Sequence, residues 1–348
     1  MKTTHLLPGV PLVESPFFND FAEEVWSGEE LRIARDLNEN GFAVFNFLDS
    51  KLIEAINQIP SDFKDKYDWD AWRAEKLESL RIQDAWQFDS RVNSIASNPQ
   101  IISLLTSLYG KPAFPFQTLN FAVSSEQSGH SDHVHFSSLP ERFMCGVWVA
   151  FEDIDENNGP LFYYPGSHKW PSYANEHIGV SGFDIGNAYG HYSKYVDLWE
   201  ALANSHGVQK KYFYAKAGQG LIWASNLVHG GSKMLDRSRT RWSQVTHYFF
   251  KGCGFTTPVA NDINQGQIYY RDIIDISNGS IVKNIISGCE VNESLVERLM
   301  PPCISGQNLP VDFVASKYLE LNPDVLESNA DPESHYLNFG KIEGRRYK

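Results

Sequence analysis

Between residues 115 and 250 the chain breaks into six runs: PFQTLNFAVSS, HVHFSSL, FMCGVWVAFEDI, PLFYYPGS, GQGLIWAS and TRWSQVTHYFF. Each is short, alternating and rich in aromatic or β-branched residues, with turn residues between them. Alternation puts every second side chain on one face, so these runs predict half-buried strands. Upstream the period is helical. SGEELRIARDLNENG offers Ser27 as N-cap, Glu30 three residues later, apolar residues at helical spacing and Gly41 as a stop. FAVFNFL reads as a strand and DSKLIEAINQIPSDF as a second capped helix. DSRVNSIASNPQIISLLTSLYG reads as two short helices ended by Gly110. Helices first and strands afterwards predict an α+β domain with a double-sheet jelly roll at its centre and flanking helices.

The ends of the chain differ from this middle. Residues 1–26, with Pro8, Pro11 and Pro16, read as an irregular arm, and residues 27–305 as the main domain. Within it, residues 168–215 interrupt the strands with a Tyr-, His- and Gly-rich segment, and a long insertion in a barrel reads as an active-site lid. Residues 251–305 are polar and read as irregular, with a helix in NESLVERLM. Residues 306–348 read as a small helical module in which Asp312 caps one helix and Asp331-Pro332 starts another. Their FVASKYLELNPDV, HY and EGR segments resemble a module of bacterial polysaccharide-associated proteins, which implies a contact with a polysaccharide-assembly protein.

Composition narrows the function. A net charge of -13 argues against a nucleic-acid surface and weighs against a polyphosphate substrate such as an acyl-CoA. Cys145, Cys253, Cys289 and Cys303 form no CxxC pair, so neither a zinc cluster nor a disulfide scaffold is expected. No apolar stretch reaches 18 residues, and the N-terminus does not read as a signal peptide. These features favour a cytoplasmic protein without a membrane span.

The chemistry concentrates at His130-Ser131-Asp132. In a strand, residues i and i+2 share a face, so His130 and Asp132 can reach one point. With a second histidine from elsewhere they would form a 2-His-1-carboxylate triad, which holds Fe(II) and leaves open positions. His133 and His135 are a rival pair at the same spacing. His229, after an apolar strand and before Gly230-Gly231, fits as the distant histidine, with His247 as its rival.

An HxD alone is weak. Followed by Trp148, NNGPLFYYPGSHK, VHGG and TRWSQVTHY, it resembles the phytanoyl-CoA dioxygenase family over roughly residues 30 to 250. The resemblance implies a double-stranded β-helix (cupin-like) fold. It implies Fe(II) held by His130, Asp132 and His229, with 2-oxoglutarate and O2 as co-substrates. A 2-oxoglutarate carboxylate needs a cation, best an arginine fork. Arg241, twelve residues after His229, matches the family position, with Arg239 and Arg237 open as alternatives of register. Ser243 shares its face. Trp148 reads equally as a co-substrate neighbour or a core residue, and Asn120 and Gln127 are weaker candidates for polar contacts. PGSHK and NNGPL read as structural turns. Tyr189, Tyr192, Tyr195, Trp170 and Tyr173 could wall a substrate site or pack the lid.

The implied reaction hydroxylates a C–H bond of a small molecule, or of a glycan or lipid biosynthetic intermediate, with release of succinate and CO2. Because Asp132 fills the carboxylate position, hydroxylation is expected and halogenation is not. Two other readings stand beside it: a non-catalytic jelly-roll binding protein with a vestigial metal site, and a cupin-type metal enzyme using His133, His135 and His229.

Overall fold

The computed structural model describes residues 6–46, 50–77, 79–180, 189–291, 309–310, 312–327, 332–336 and 345–348. The chain divides into two compact units, Met1–Glu297 and Arg298–Lys348. In order, the first unit runs through helices α1 (Phe18–Val25) and α2 (Gly28–Asn40), strand β1 (Phe42–Asn46), helices α3 (Ser50–Phe63) and α4 (Trp69–Arg73), and strand β2 (Arg81–Gln83). Helices α5 (Ser90–Ala96) and α6 (Pro99–Tyr109) lead into strands β3 (Ala113–Phe121), β4 (Ser137–Leu139), β5 (Met144–Ala150) and β6 (Leu161–Tyr163). Helix α7 (Tyr192–Ser205) precedes β7 (Lys211–Phe213), β8 (Gln219–Ala224), β9 (His229–Gly231), β10 (Ser243–Phe250) and β11 (Gly254–Thr256).

Two antiparallel sheets carry the unit. The larger has the order β1-β8-β5-β10-β3-β2, and the smaller β7-β6-β9. Strand alternation sorts the large sheet's side chains between two cores. Phe121, Trp148, Leu221, Trp223 and Val245 pack with Tyr163 and Phe213 of the small sheet. Val147, Val149, Ile222 and Tyr248 point the other way, into a core shared with Ile33 and Leu37 of α2, Val92 and Ile95 of α5, and Leu105 of α6. On the far side of the small sheet, Phe162, Tyr164 and Val228 pack with Tyr195, Trp199 and Ala203. The layers are therefore helices, large sheet, small sheet and α7, and each buried aromatic or aliphatic side chain contributes about 1.5–3 kcal/mol.

Local signals explain the elements and correct several expectations. The arm expected to be irregular through residue 26 contains α1, because Phe18, Phe21 and Ala22 make an apolar stripe that is buried against the core. Ser27 does precede α2, but its side chain makes no capping bond, so the expected capping box with Glu30 does not form. Gly41 ends the helix as expected, at φ 82°, with its N–H on the Leu37 carbonyl at 2.9 Å. HVHFSSL is not one strand. Residues Asp132–Val134 make a 3-10 turn, and only Ser137–Leu139 is extended. The region after residue 250, expected to be irregular, forms β11 and two short hairpins, Ile273–Asp275 with Ser280–Val282 and Ile285–Ile286 with Cys289–Glu290. Residues 168–215 supply α7 and β7 and so are in part built into the sheet layers. The helix expected in NESLVERLM lies outside the described residues.

In the second unit, Tyr318, Val325 and Tyr336 form a small core with Phe313 and Tyr347 against it. Asp312 does not cap the helix Ala315–Leu321: Val314 holds the N-cap position, and Asp312 pairs with Lys348 at 2.8 Å. Asp331 lies outside the described residues. Among the described residues, no helix is long and apolar enough to cross a membrane.

Candidate metal centre

His130 and His229 are tied to each other by backbone. Each donates its N–H to the other's carbonyl at 2.9 Å, so the two imidazoles start from one bridge. The glycines after His229 are required by crowding. A Cβ on Gly230 would lie 2.5 Å from the Phe162 ring, and one on Gly231 would lie 2.7 Å from Ser125 Oγ. Asp132 arrives differently from the strand geometry expected: it is the first residue of a 3-10 turn closed by the His135 N–H, which donates to the Asp132 carbonyl at 2.9 Å. The chain leaves the bridge and turns at once, and the carboxylate still swings toward the two histidines.

The three ligand atoms lie within 4.8 Å of one another. His130 Nε2 is 3.7 Å from Asp132 Oδ1, and His229 Nε2 is 3.8 Å from Asp132 Oδ2. The ring Nδ1 atoms donate to backbone carbonyls, His130 to Ser128 at 2.9 Å and His229 to Leu227 at 3.0 Å. That fixes both tautomers and leaves the Nε2 lone pairs for a metal. Burial would raise the Asp132 carboxyl, but His229, His247 and His130 together hold it well below the usual carboxylate range. Burial pushes His229 down to about 4, against the pull of Asp132, so this imidazole is neutral and available.

Two neighbours of the triad escaped the sequence reading. Trp223 donates its indole N–H to Asp132 Oδ2 at 2.7 Å, and Gln117 Oε1 accepts from His247 Nδ1 at 2.9 Å. The alternation of GLIWAS, which puts Leu221 and Trp223 on one face, was the available signal for the first. His247, the rival for the distant histidine, stands beside the triad with Nε2 3.7 Å from Asp132 Oδ2. His133 does not join: it is buried, with Nδ1 3.2 Å from Ser137 Oγ. His135 lies with its ring 6.4 Å from that of His130, and its two nitrogens meet the hydroxyls of Tyr189 and Tyr192, each at 3.2 Å. Among the described residues, the cluster that could hold a metal is His130, Asp132 and His229, not the cupin-type set of His133, His135 and His229.

Further along the inner face sits Arg241, only 2% exposed. Its guanidinium lies 5.0 Å from the Trp148 ring, and Nη1 is 3.5 Å from Ser243 Oγ. Nε and Nη2 are sealed from solvent without a partner, as is Trp148 Nε1. Burial pushes Arg241 down to about 9, with Glu152 pulling the other way. A buried guanidinium with two unused donors is costly unless an anion arrives, and a carboxylate is its natural partner. Arg239 already has a carboxylate partner: its Nη1 donates to both oxygens of Asp155, at 2.8 and 2.9 Å. Arg237 lies over the Trp72 ring at 4.5 Å. The expectation for Asn120 is corrected. Its register opposite Gln244 puts it on the helix side of the sheet, where it donates to Gln244 at 3.1 Å.

The PGSHK segment packs structurally: His168 is buried with Nε2 3.1 Å from the Asn38 carbonyl, at the end of α2. Of the lid aromatics, Tyr189 and Tyr192 reach His135, whereas Tyr195 is buried and donates to Asn175 at 2.8 Å.

Comparison with known proteins agrees with this chemistry. The phytanoyl-CoA dioxygenase (PhyH) family matches residues 37–239. Peroxisomal phytanoyl-CoA dioxygenase of Bos taurus is 22% identical over 199 residues, 55% of this chain and 47% of that protein. The Rattus norvegicus protein is 25% identical over 193 residues, 52% and 48%. The chain thus spans about half the length of the curated relatives it matches. Similar solved structures include EctD from S. alaskensis with 2-oxoglutarate and 5-hydroxyectoine, at 18% identity and TM-score 0.49 over 72% of this chain and 84% of that one. Another is the epimerase SnoN with Fe3+, α-ketoglutarate and nogalamycin RO, at 17% and 0.46 over 65% and 85%. The His130–Asp132–His229 set fits iron. Since the family match covers more than half of the chain, the protein belongs to the phytanoyl-CoA dioxygenase family.

Proposed function

We propose that the protein is an iron- and 2-oxoglutarate-dependent dioxygenase that hydroxylates a C–H bond of a small molecule or of a glycan or lipid biosynthetic intermediate. One observation carries the reading: a two-histidine, one-carboxylate cluster and an arginine with two unused, sealed donors share the interior between the two sheets. We read those sheets as a double-stranded β-helix, residues 27–305 as the oxygenase domain, residues 306–348 as a separate small module, and the compartment as cytoplasmic.

Bound iron with 2-oxoglutarate and O2 supplies the oxidising power, yielding succinate, CO2 and a hydroxylated substrate. His130, Asp132 and His229 would hold the metal, and a two-histidine, one-carboxylate set is the donor set that leaves positions free for a co-substrate. Trp223 keeps Asp132 Oδ2 occupied, so Oδ1 is the oxygen free to ligate. Arg241 binds the far carboxylate of 2-oxoglutarate, Ser243 assists, and the Trp148 indole closes one wall. The apolar side chains of Phe121, Leu221 and Val245 exclude water around this path. Asp132 occupies the position that a halide would need, so no chlorinated product is expected.

The test is an anaerobic titration of metal-free protein with Fe(II) and then 2-oxoglutarate, reading the visible charge-transfer band of a chelated keto acid. A band in wild type, and a loss of 2-oxoglutarate affinity in Arg241→Ala, is the expected result. Folded protein that gives no band would sink the reading in favour of a non-catalytic binding protein.

A further inference from the structure

We infer that Arg271 anchors an anionic group of the substrate, a carboxylate or a phosphate, beside this site. The inference rests on the oxygenase reading only for what happens to the substrate afterwards.

Placement comes first. The Phe136 ring lies 5.2 Å from the His247 ring, and His247 touches Asp132. The Arg271 guanidinium lies 4.8 Å from the same Phe136 ring. Its Nη1 donates to the His135 carbonyl at 3.2 Å and to Thr257 Oγ1 at 3.4 Å, and its backbone N–H donates to Phe255 at 2.8 Å. One aromatic side chain thus separates this cation from the ring of His247, and its own carbonyl partner is the residue that faces His130.

Among the described residues, Arg271 has no counter-ion: no carboxylate comes within 4.0 Å of it. Asp84 and the Tyr189 phenol act on it only from farther away. The Asp84 carboxylate is already taken by the Thr118 N–H, the Trp86 indole and the Gln83 amide, at 3.0, 3.2 and 3.3 Å. Arg271 Nε and Nη2 make no hydrogen bond, yet neither is sealed from solvent, in contrast to the same atoms of Arg241. Held at Nη1, the guanidinium keeps two donors of its fork unused, and an anion's paired oxygens are the partner that such a fork takes. A chain of net charge -13 does not draw anions by its overall field, so a local fork is what such recognition requires.

The surroundings describe the rest of the ligand. Tyr189 stacks on His135 at 5.5 Å and 22°, and Tyr192 lies 5.1 Å from the same ring. The two hydroxyls and the imidazole are bonded to one another, so what they offer a ligand is flat ring surface, which suits a ring-bearing skeleton. The inferred substrate class is a small cyclic acid, held by its anion at Arg271 with its body reaching toward His130 and Asp132.

Benzoate, phenyl phosphate and neutral benzamide are suitable probes, titrated calorimetrically into protein loaded with Fe(II) and 2-oxoglutarate without O2. At least one anion is expected to bind about tenfold or more tightly than benzamide, and the tighter one assigns carboxylate or phosphate. Arg271→Gln should abolish that preference while keeping the charge-transfer band, and Arg271→Lys should restore part of it. The same titration in metal-free Arg241→Gln protein, where the co-substrate clamp is gone, reads Arg271 independently. A missing band would then count against the oxygenase reading alone. Equal binding of all three probes, no anion binding in either protein, or a preference kept in Arg271→Gln would overturn the inference. If Arg271→Gln does not fold, Arg271→Lys decides: anion binding no weaker than wild type with the point charge relocated removes the fork from the argument.

Discussion

Both faces of β10 are buried along its whole length, yet they use their polar groups in opposite ways. On the face toward the helices, Asn120 donates to Gln244, Gln244 to the Val92 carbonyl and Tyr248 to the Ala96 carbonyl. The atoms left over there are neutral, the Asn120 carbonyl oxygen and the Thr118 hydroxyl. On the face toward the small sheet, the leftovers are two guanidinium donors of Arg241 and the Trp148 indole N–H. An unused neutral group away from water costs about 1–3 kcal/mol, whereas an unused charged donor there costs more. One face is finished by folding. The other is finished only when an anion and a cation arrive, and that unfinished balance marks where the chemistry sits.

The largest effect that would break this contrast is at the triad. Asp132→Ala should abolish iron retention, the 2-oxoglutarate band and substrate-dependent succinate formation, with circular dichroism unchanged. Stoichiometric iron with an intact band would mean that the inner face is not a metal site. Next comes Arg241→Ala. Truncating one partner of a buried charge pair costs about 2–4 kcal/mol, or roughly 30- to 1,000-fold in 2-oxoglutarate affinity. Arg241→Met sharpens the point, because it removes an unpaired buried charge from the ligand-free protein. It should raise the melting temperature of that protein, in line with gains of about 1–4 kcal/mol when buried charges are replaced by apolar residues. 2-Oxoglutarate with Fe(II) should then stabilise wild type and not the variant. A variant that melts lower than wild type without ligands would show that Arg241 is paid for by contacts within the fold.

A smaller effect is expected one step from the metal. Trp223 reaches Asp132 only because Gly146, opposite it on β5, has no side chain. A Cβ there would lie 2.0 Å from the indole. Trp223→Phe keeps the ring and loses the donor, and Gly146→Ala keeps the donor and displaces it. Both should weaken iron binding by about 10- to 100-fold, the usual cost of losing an outer partner of a ligand. Metal titration that finds wild-type affinity in Trp223→Phe would reduce this contact to packing.

How much of this was legible in the chain depends on how local each signal is. His229 was readable because the apolar strand before it and the glycines after it are local properties. Asp132 was found with the wrong geometry: the i, i+2 argument assumed a strand, whereas a bridge followed at once by a 3-10 turn gives the same convergence. Asn120 was named as a candidate for polar contacts without a face, because its face follows from the pairing with Gln244 and cross-strand register is set by tertiary structure. The helix α1 was hidden behind Pro8, Pro11 and Pro16, although its Phe18, Phe21 and Ala22 stripe is visible in the sequence. Arg271 sits in no motif. Its position rests on Phe136 and His135, more than 130 residues away in the chain, and only the folded structure brings them together.

The smallest expected effect tests the finished face. Gln244→Leu removes a side chain that accepts from Asn120 and donates to Val92, leaving the buried Asn120 amide without its acceptor and the Val92 carbonyl with one donor fewer. Each such loss costs about 1–3 kcal/mol, offset in part by the apolar burial of leucine, so a net destabilisation of about 1–2 kcal/mol is expected from urea unfolding. Gln244 and Ser243 are adjacent residues pointing to opposite faces of β10, so 2-oxoglutarate affinity should stay within about twofold of wild type. If Gln244→Leu weakened 2-oxoglutarate binding as much as Arg241→Ala, the two faces would be coupled through the strand. The division between a face that folding completes and a face that ligands complete would then fail where the two are closest.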